Sequence, residues 1–225
     1  MKLLLTSAGI SNTSIRNALV DLLGKPVEEA NAFFIPTGLF AVKGGWEITR
    51  KVICGTLGDP YCDMGWKSLG LLELAVLPTI KKDHWLPKLQ ESDALLVGGG
   101  DCQYLTYWMK QSGLAALLPS LLKKIVYVGL SAGSMIMTRF GTTYGLHELP
   151  AETDKSLGFF DFAIHPHLDY DFFPENSMAN LEKLAGTLPM PSYAIDDQTA
   201  IKITGDKIEV ISEGHWKLFG SSQRH

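Results

Sequence analysis

Gly129-Leu130-Ser131-Ala132-Gly133 is a GxSxG sequence that follows the apolar run Ile125-Val126-Tyr127-Val128 and precedes a helical stretch from Ser134 to Met137. At a strand-to-helix elbow, small flanking glycines tolerate a strained backbone, the serine hydroxyl is presented to solvent, and the next helix offers free N–H groups to an oxyanion. A serine attacks at neutral pH only when a base takes its proton, and that base is usually a histidine oriented by an acid. Of the 6 histidines, His84 and His225 lie in polar or terminal segments, and His147 and His215 in loop-like ones. His165 and His167 differ, because they close the apolar stretch Phe159-Phe160-Asp161-Phe162-Ala163-Ile164. A strand there would deliver them to a sheet edge, and either is a candidate base.

Two further readings of these residues stand beside the first. His165, His167 and Asp169 alternate along an extended segment, where side chains that point the same way could offer a metal two imidazoles and a carboxylate. No second ligand cluster accompanies them, and a metal would leave the serine elbow without a purpose. Gly98-Gly99-Gly100-Asp101 lacks the Lys-[Ser/Thr] of a phosphate-binding loop and the spacing of a dinucleotide fingerprint. Its backbone N–H groups suit an oxyanion hole better than a nucleotide.

The elements that must position these groups alternate. Leu3-Leu4-Leu5 reads as a short strand, and Ser11 to Ser14 supply N-cap candidates for a helix whose apolar positions Ile15, Ala18, Leu19, Leu22 and Leu23 end at Gly24. Ala32 to Thr37, Gly70 to Leu77, Ala94 to Val97 and Ile125 to Val128 read as further strands, with helices over Trp46 to Leu57 and Gln103 to Lys110. Near the end, Tyr193 to Ile195, Thr199 to Ile203 and Lys207 to Ile211 read as short strands, the last two joined by Thr204-Gly205-Asp206. Short apolar strands ending in Gly, Ser or Thr before helices imply an α/β protein with a mostly parallel sheet covered by helices on both faces. In such sheets ligands collect beyond the carboxyl ends of the strands. No linker or repeat divides residues 1–225, so one domain is expected.

Composition narrows the function classes. The chain has 225 residues, 46% of them hydrophobic and 20% charged, as in an ordinary globular protein. A net charge of −4 disfavours a nucleic-acid binder. No apolar run approaches the length of a membrane span, and the leucines after Met1 are too few for a signal-peptide core. The 3 cysteines form no CxxC pair, which argues against a disulfide scaffold or zinc finger and fits a reducing cytoplasm. The sequence allows a small homo-oligomer.

The order of motifs resembles the peptidase E family of serine peptidases, which also contains cyanophycinase. Val97-Gly98-Gly99-Gly100-Asp101, Gly129-Leu130-Ser131-Ala132-Gly133-Ser134 and Ile164-His165-Pro166-His167-Leu168 carry the match, which extends to Asp196-Asp197-Gln198-Thr199-Ala200-Ile201. The resemblance implies a class I glutamine amidotransferase-like fold, a flavodoxin-like three-layer sandwich, and a cofactor-free cytoplasmic hydrolase of small peptides. It makes Ser131 the nucleophile and His167 the base, with His165 a neighbour. It places an oxyanion hole at the N–H groups of Gly99 or Gly100 and of Ala132.

The acid departs from the pattern. Where peptidase E has an aspartate after the nucleophile helix, this chain reads Thr142-Thr143-Tyr144-Gly145-Leu146-His147-Glu148. Asp197 matches a second acidic position in the family and is the expected partner, with Asp196, Glu148 and Asp169 behind it. The segment Asp171 to Ser177 also contains no arginine, which leaves aspartyl specificity without its expected bidentate partner. A serine esterase on a similar scaffold, and a binding or regulatory protein that keeps the fold without catalysis, are the competing functions.

Overall fold

The computed structural model describes residues 1–58, 60–140 and 156–220. The first half alternates regularly: β1 (Lys2–Thr6), α1 (Thr13–Leu23), β2 (Asn31–Ile35), α2 (Thr37–Phe40), α3 (Gly45–Ile53), β3 (Ser68–Leu71), α4 (Lys82–Gln90), β4 (Ala94–Val97), α5 (Cys102–Gln111), α6 (Leu114–Leu121) and β5 (Val126–Leu130). Then come α7 (Ala132–Met135), β6 (Thr138–Phe140), β7 (Phe160–His165), α8 (Met178–Ala185), β8 (Ser192–Ile195), β9 (Thr199–Thr204), β10 (Lys207–Ser212) and β11 (Trp216–Phe219).

Local chemistry sets the ends of these elements. Asn12 caps α1 by accepting the Ile15 N–H at 2.9 Å, and Gly24, at φ 71°, ends it by donating to the Val20 carbonyl. Asp101 caps α5 in the same way, accepting the Tyr104 N–H at 2.8 Å. The strand expected over Gly70 to Leu77 is shorter, because after Leu71 the chain turns into a 3-10 segment over Leu74–Thr79 that contains Pro78. The helix after Ser131 is also short. Thr138 accompanies that change, its hydroxyl donating to the Met135 carbonyl at 2.8 Å as the chain turns into β6.

Seven strands form the main sheet in the order β10-β9-β1-β5-β4-β2-β3. From β1 to β3 all pairings are parallel, while β9 and β10 are antiparallel. Successive side chains of the central strands enter opposite cores, as the period of two requires. Leu3, Leu5, Leu95, Val97 and Tyr127 pack with Leu105, Met109, Leu114 and Leu118 of α5 and α6. Leu4, Leu96, Val126 and Val128 pack with Ile15 and Leu19 of α1. Helices therefore cover both faces, which is the expected mostly parallel α/β layering.

A second sheet, in the order β11-β8-β7-β6, was not visible in the sequence pattern. Its strands contribute Phe162, Ile164 and Ile195 to the α5–α6 side of the core. Its consequence is positional, since β7 runs into the Pro166 loop and β8 into Asp196-Asp197. Among the described residues, no helix is long and apolar enough to cross a membrane.

Candidate active site

The elbow is built by close packing. Ser131 follows β5 at φ 50°, ψ −110°, a conformation that non-glycine residues adopt rarely. Its N–H donates to the Thr6 carbonyl at 3.1 Å, and the Ser134 hydroxyl donates to the same carbonyl at 2.7 Å. On the other side, the Tyr127 hydroxyl donates to the Gly133 carbonyl at 2.6 Å. The glycines at either end of the motif are needed for contact: a Cβ on Gly129 would lie 2.7 Å from the Ser134 nitrogen, and one on Gly133 2.2 Å from the Val97 oxygen. The strain at Ser131 is thus held by β1 and β4 together.

His167 reaches Ser131 from the second sheet. β7 ends at His165, and after Pro166 the chain turns at His167 with φ 57°. The His167 Nε2 lies 3.0 Å from Ser131 Oγ, and Nδ1 lies 2.7 Å from Asp197 Oδ1. Its ring stacks on Phe173, with centroids 4.9 Å apart. Asp197 sits between β8 and β9. Burial pushes its carboxyl up, but the hydrogen bond and charge of His167, with a further bond from Ser7, outweigh that and hold it below the usual carboxylate value.

Ser7, which sequence reasoning passed over, completes the arrangement. Its hydroxyl donates to Asp197 Oδ1 at 2.7 Å and accepts the His167 backbone N–H at 2.8 Å. The only sequence signal was a serine at the carboxyl end of the first strand, where ligands of such sheets collect.

Asp196 and Asp169, the other acidic candidates among the described residues, are engaged elsewhere. Asp196 accepts the N–H groups of Gln198 and His215 and the Thr199 hydroxyl. Asp169 accepts the Met178 N–H at 2.8 Å and faces His215 Nε2 at 3.1 Å. Glu148, His147 and His225 lie outside the described residues. The alternation that suggested a metal site does not survive the turn. His165 is buried while His167 faces Ser131, and among the described residues no group of three His, Cys, Asp or Glu could hold an ion.

Gly98-Gly99-Gly100 leaves β4 beside the elbow, where a Cβ on Gly99 would stand 3.4 Å from that of Ser131. Gly100, at φ 102°, passes so close to α2 that a Cβ would meet the Gly38 oxygen at 2.1 Å. The Gly98 N–H donates to Ile35 and that of Asp101 to Gly38. Among the described residues, the N–H groups of Gly99, Gly100 and Ala132 have no protein acceptor, so they remain available beside Ser131.

Ser131, Ala132, His167, Asp197 and Gly98-Gly99-Gly100 line a cleft of about 980 Å³ that also holds His165, Cys102, Lys51 and Glu175. Burial pushes the Cys102 thiol up to about 12, so it is no rival nucleophile. Burial likewise lowers His165 to about 4, and among the described residues neither ring nitrogen has a partner, so this imidazole stays neutral.

The sequence profile of Peptidase family S51 matches residues 3–211, which includes every residue placed in this site. The chain belongs to peptidase family S51. Among relatives, a Peptidase E of Shewanella denitrificans is 23% identical over 99% of this chain and 92% of its own length. An uncharacterized peptidase of Bacillus subtilis, YgaJ, is 30% identical over 53% of this chain, and the match spans only 51% of YgaJ. Among solved structures, a Listeria monocytogenes protein assigned provisionally to peptidase E superposes with a TM-score of 0.66 at 21% identity, covering 95% of this chain and 98% of that one. A peptidase from an acI-B1 Actinobacterium gives 0.62 at 16% identity, over 96% of this chain and 88% of that one. Similarity at that level shows the shared fold, and S51 membership rests on the profile.

Proposed function

We propose that this S51 chain is a serine exopeptidase that hydrolyses small peptides by acyl transfer through Ser131. The observation that carries the reading is the unbroken chain of contacts from Ser131 Oγ to His167, at 3.0 Å, and from His167 to Asp197, at 2.7 Å. With Asp197 ionised, the His167 Nδ1–H is donated to it, and the Nε2 lone pair faces the serine hydroxyl. His167 then takes the Ser131 proton as Oγ attacks the peptide carbonyl carbon. The oxyanion that forms is met by the N–H of Ala132 and that of Gly99 or Gly100, which lack other acceptors. Collapse breaks the C–N bond, and His167 returns the proton to the leaving amine. His167 then deprotonates a water that attacks the acyl-serine, and collapse breaks the acyl–Oγ bond as His167 returns that proton to Ser131, which releases the second product and restores the enzyme.

Every proton in this sequence is held by a named side chain, and the strained elbow keeps Ser131 Oγ presented before substrate arrives. Such aligned contacts favour an active enzyme over a binding protein on a retained fold. A cleft of about 980 Å³ suits a peptide of a few residues.

Hydrolysis of a panel of dipeptides by the native protein and by Ser131→Ala tests the reading. A fall of about a thousandfold or more in the variant is expected. Equal rates from both proteins would overturn it.

A further inference from the structure

The charged groups left over in the cleft carry more than the reaction type. Of its lysine and carboxylate side chains, Asp197 is engaged by His167 and Ser7, and Asp101 is buried and caps α5. Lys51 of α3 and Glu175, in the 3-10 turn Pro174–Asn176, remain. The Lys51 ammonium makes no hydrogen bond or ion pair among the described residues. The Glu47 carboxylate, one turn back on the same helix, is taken in bidentate fashion by Arg50 at 2.7 and 3.1 Å. Glu175 likewise accepts no hydrogen bond among the described residues, and its side chain is exposed. One wall of the cleft thus ends in an unpaired cation, and the loop that carries His167 ends in an unpaired anion.

Between them the lining is apolar. Leu39, Val42, Ile48 and Val52 contribute from the α2–α3 segment, and Phe172 and Phe173 from the loop after His167. Among the described residues no arginine lines this space, and Arg16, Arg50 and Arg139 are each paired with an acidic side chain. A carboxylate side chain placed among these groups would lose its hydration without a bidentate partner. Among the described residues Lys51 is the one lysine or arginine in the lining, while Glu175 and Asp197 already supply negative charge beside the capping Asp101.

We propose that the site takes zwitterionic dipeptides with apolar side chains, the free amino group held by Glu175 and the free carboxylate by Lys51. This substrate class rests on the serine peptidase reading above. It departs from recognition of an N-terminal aspartate, whose third charge would compete with the C-terminal carboxylate for Lys51. Two charged ends and two apolar side chains account together for one cation, one anion and apolar walls.

The test measures binding apart from turnover. Calorimetric titration of Ser131→Ala with Leu-Leu, Asp-Leu, Leu-Leu amide and N-acetyl-Leu-Leu should show Leu-Leu binding at least tenfold more tightly than each of the others. In Ser131→Ala/Lys51→Met, Leu-Leu and its amide should bind alike. In Ser131→Ala/Glu175→Gln, Leu-Leu and its acetylated form should bind alike. Because the ligands themselves are varied, the result does not depend on the added substitutions folding perfectly. Equal or tighter binding of Asp-Leu, no penalty for amidation or acetylation, or no binding at all would overturn the proposal. Parallel assays of the native enzyme separate the two readings: the predicted binding pattern without hydrolysis would contradict the peptidase mechanism alone. Preferred hydrolysis of Asp-Leu would contradict the substrate class alone.

Discussion

The Ser7 hydroxyl donates to Asp197 Oδ1 at 2.7 Å across 190 residues of sequence, and that oxygen is the one that faces His167 Nδ1. A carboxylate with two donors on one oxygen is fixed in rotation, and the imidazole it orients is fixed with it. Because Ser7 also accepts the His167 backbone N–H at 2.8 Å, one hydroxyl at the end of β1 ties base and acid together.

Ser7→Ala should therefore lower kcat by roughly tenfold, in line with the loss of one hydrogen bond to a charged group, about 1.5 kcal/mol. Substrate binding should change little, since Ser7 is buried behind the pair. Steady-state kinetics on Ser7→Ala check this, and an unchanged kcat would remove Ser7 from the machinery.

Adjacent aspartates should behave oppositely. Asp197→Asn keeps the shape but no longer fixes the imidazole tautomer, so kcat should fall by about a thousandfold or more. Asp196→Asn weakens the contacts that Asp196 makes with Gln198, Thr199 and His215, and should lower the melting temperature with kcat within about threefold of native. Melting curves and kinetics on both variants separate the roles.

Stability should depend on His165 in acid. Burial lowers this group from 6.5 to about 4, so between those values the unfolded chain binds a proton that the folded chain does not. The folded state loses stability as pH falls through that window, by about 3 kcal/mol in all, and loses no more from this group below it. Above pH 6.5 both states are neutral there and the contribution vanishes. Urea unfolding from pH 4 to 7 should show a shallower slope in His165→Met, which is near in volume and does not titrate. An unchanged slope would place the titration elsewhere.

Glycine replacements should discriminate between packing and conformation. Gly133→Ala puts a Cβ 2.2 Å from the Val97 oxygen, so β4 or the elbow must move. It should cost about 2 kcal/mol or more and abolish activity. Gly24→Ala, at φ 71° with open space around it, should cost about 1 kcal/mol and leave kcat unchanged. Denaturant titration with kinetics on both variants measures the contrast.

The parts of this site that were legible in the sequence are those whose chemistry is local. Ser131 stood out because Gly129 and Gly133 flank it directly after an apolar strand, and the packing that requires those glycines involves neighbouring elements. The Pro166-His167 turn was legible through the resemblance to peptidase E, whereas residue types alone left His165 and His167 equivalent. What separates those two is tertiary: β7 buries one, and a positive φ after Pro166 aims the other. Ser7 carried almost no signal, since a serine after a strand is common and its partners come from the far end of the chain. The second sheet was illegible for a related reason. Tyr193 to Ile195 of β8 read as a strand, but the three-residue β6 and four-residue β11 are too short to show a period, and long-range pairing defines the sheet. The unpaired state of Lys51 depended on Arg50 capturing Glu47, a competition between neighbours that spacing does not decide.

Activation of Ser131 by His167 and Asp197 would make its hydroxyl reactive towards phosphonylating reagents. The folded native protein and Ser131→Ala are treated with a fluorophosphonate, and adducts are mapped by peptide mass spectrometry. One stoichiometric adduct is expected on Ser131, absent from the variant and strongly slowed in Asp197→Asn. A folded native protein that remains unmodified, or an adduct that persists in Ser131→Ala, would contradict it.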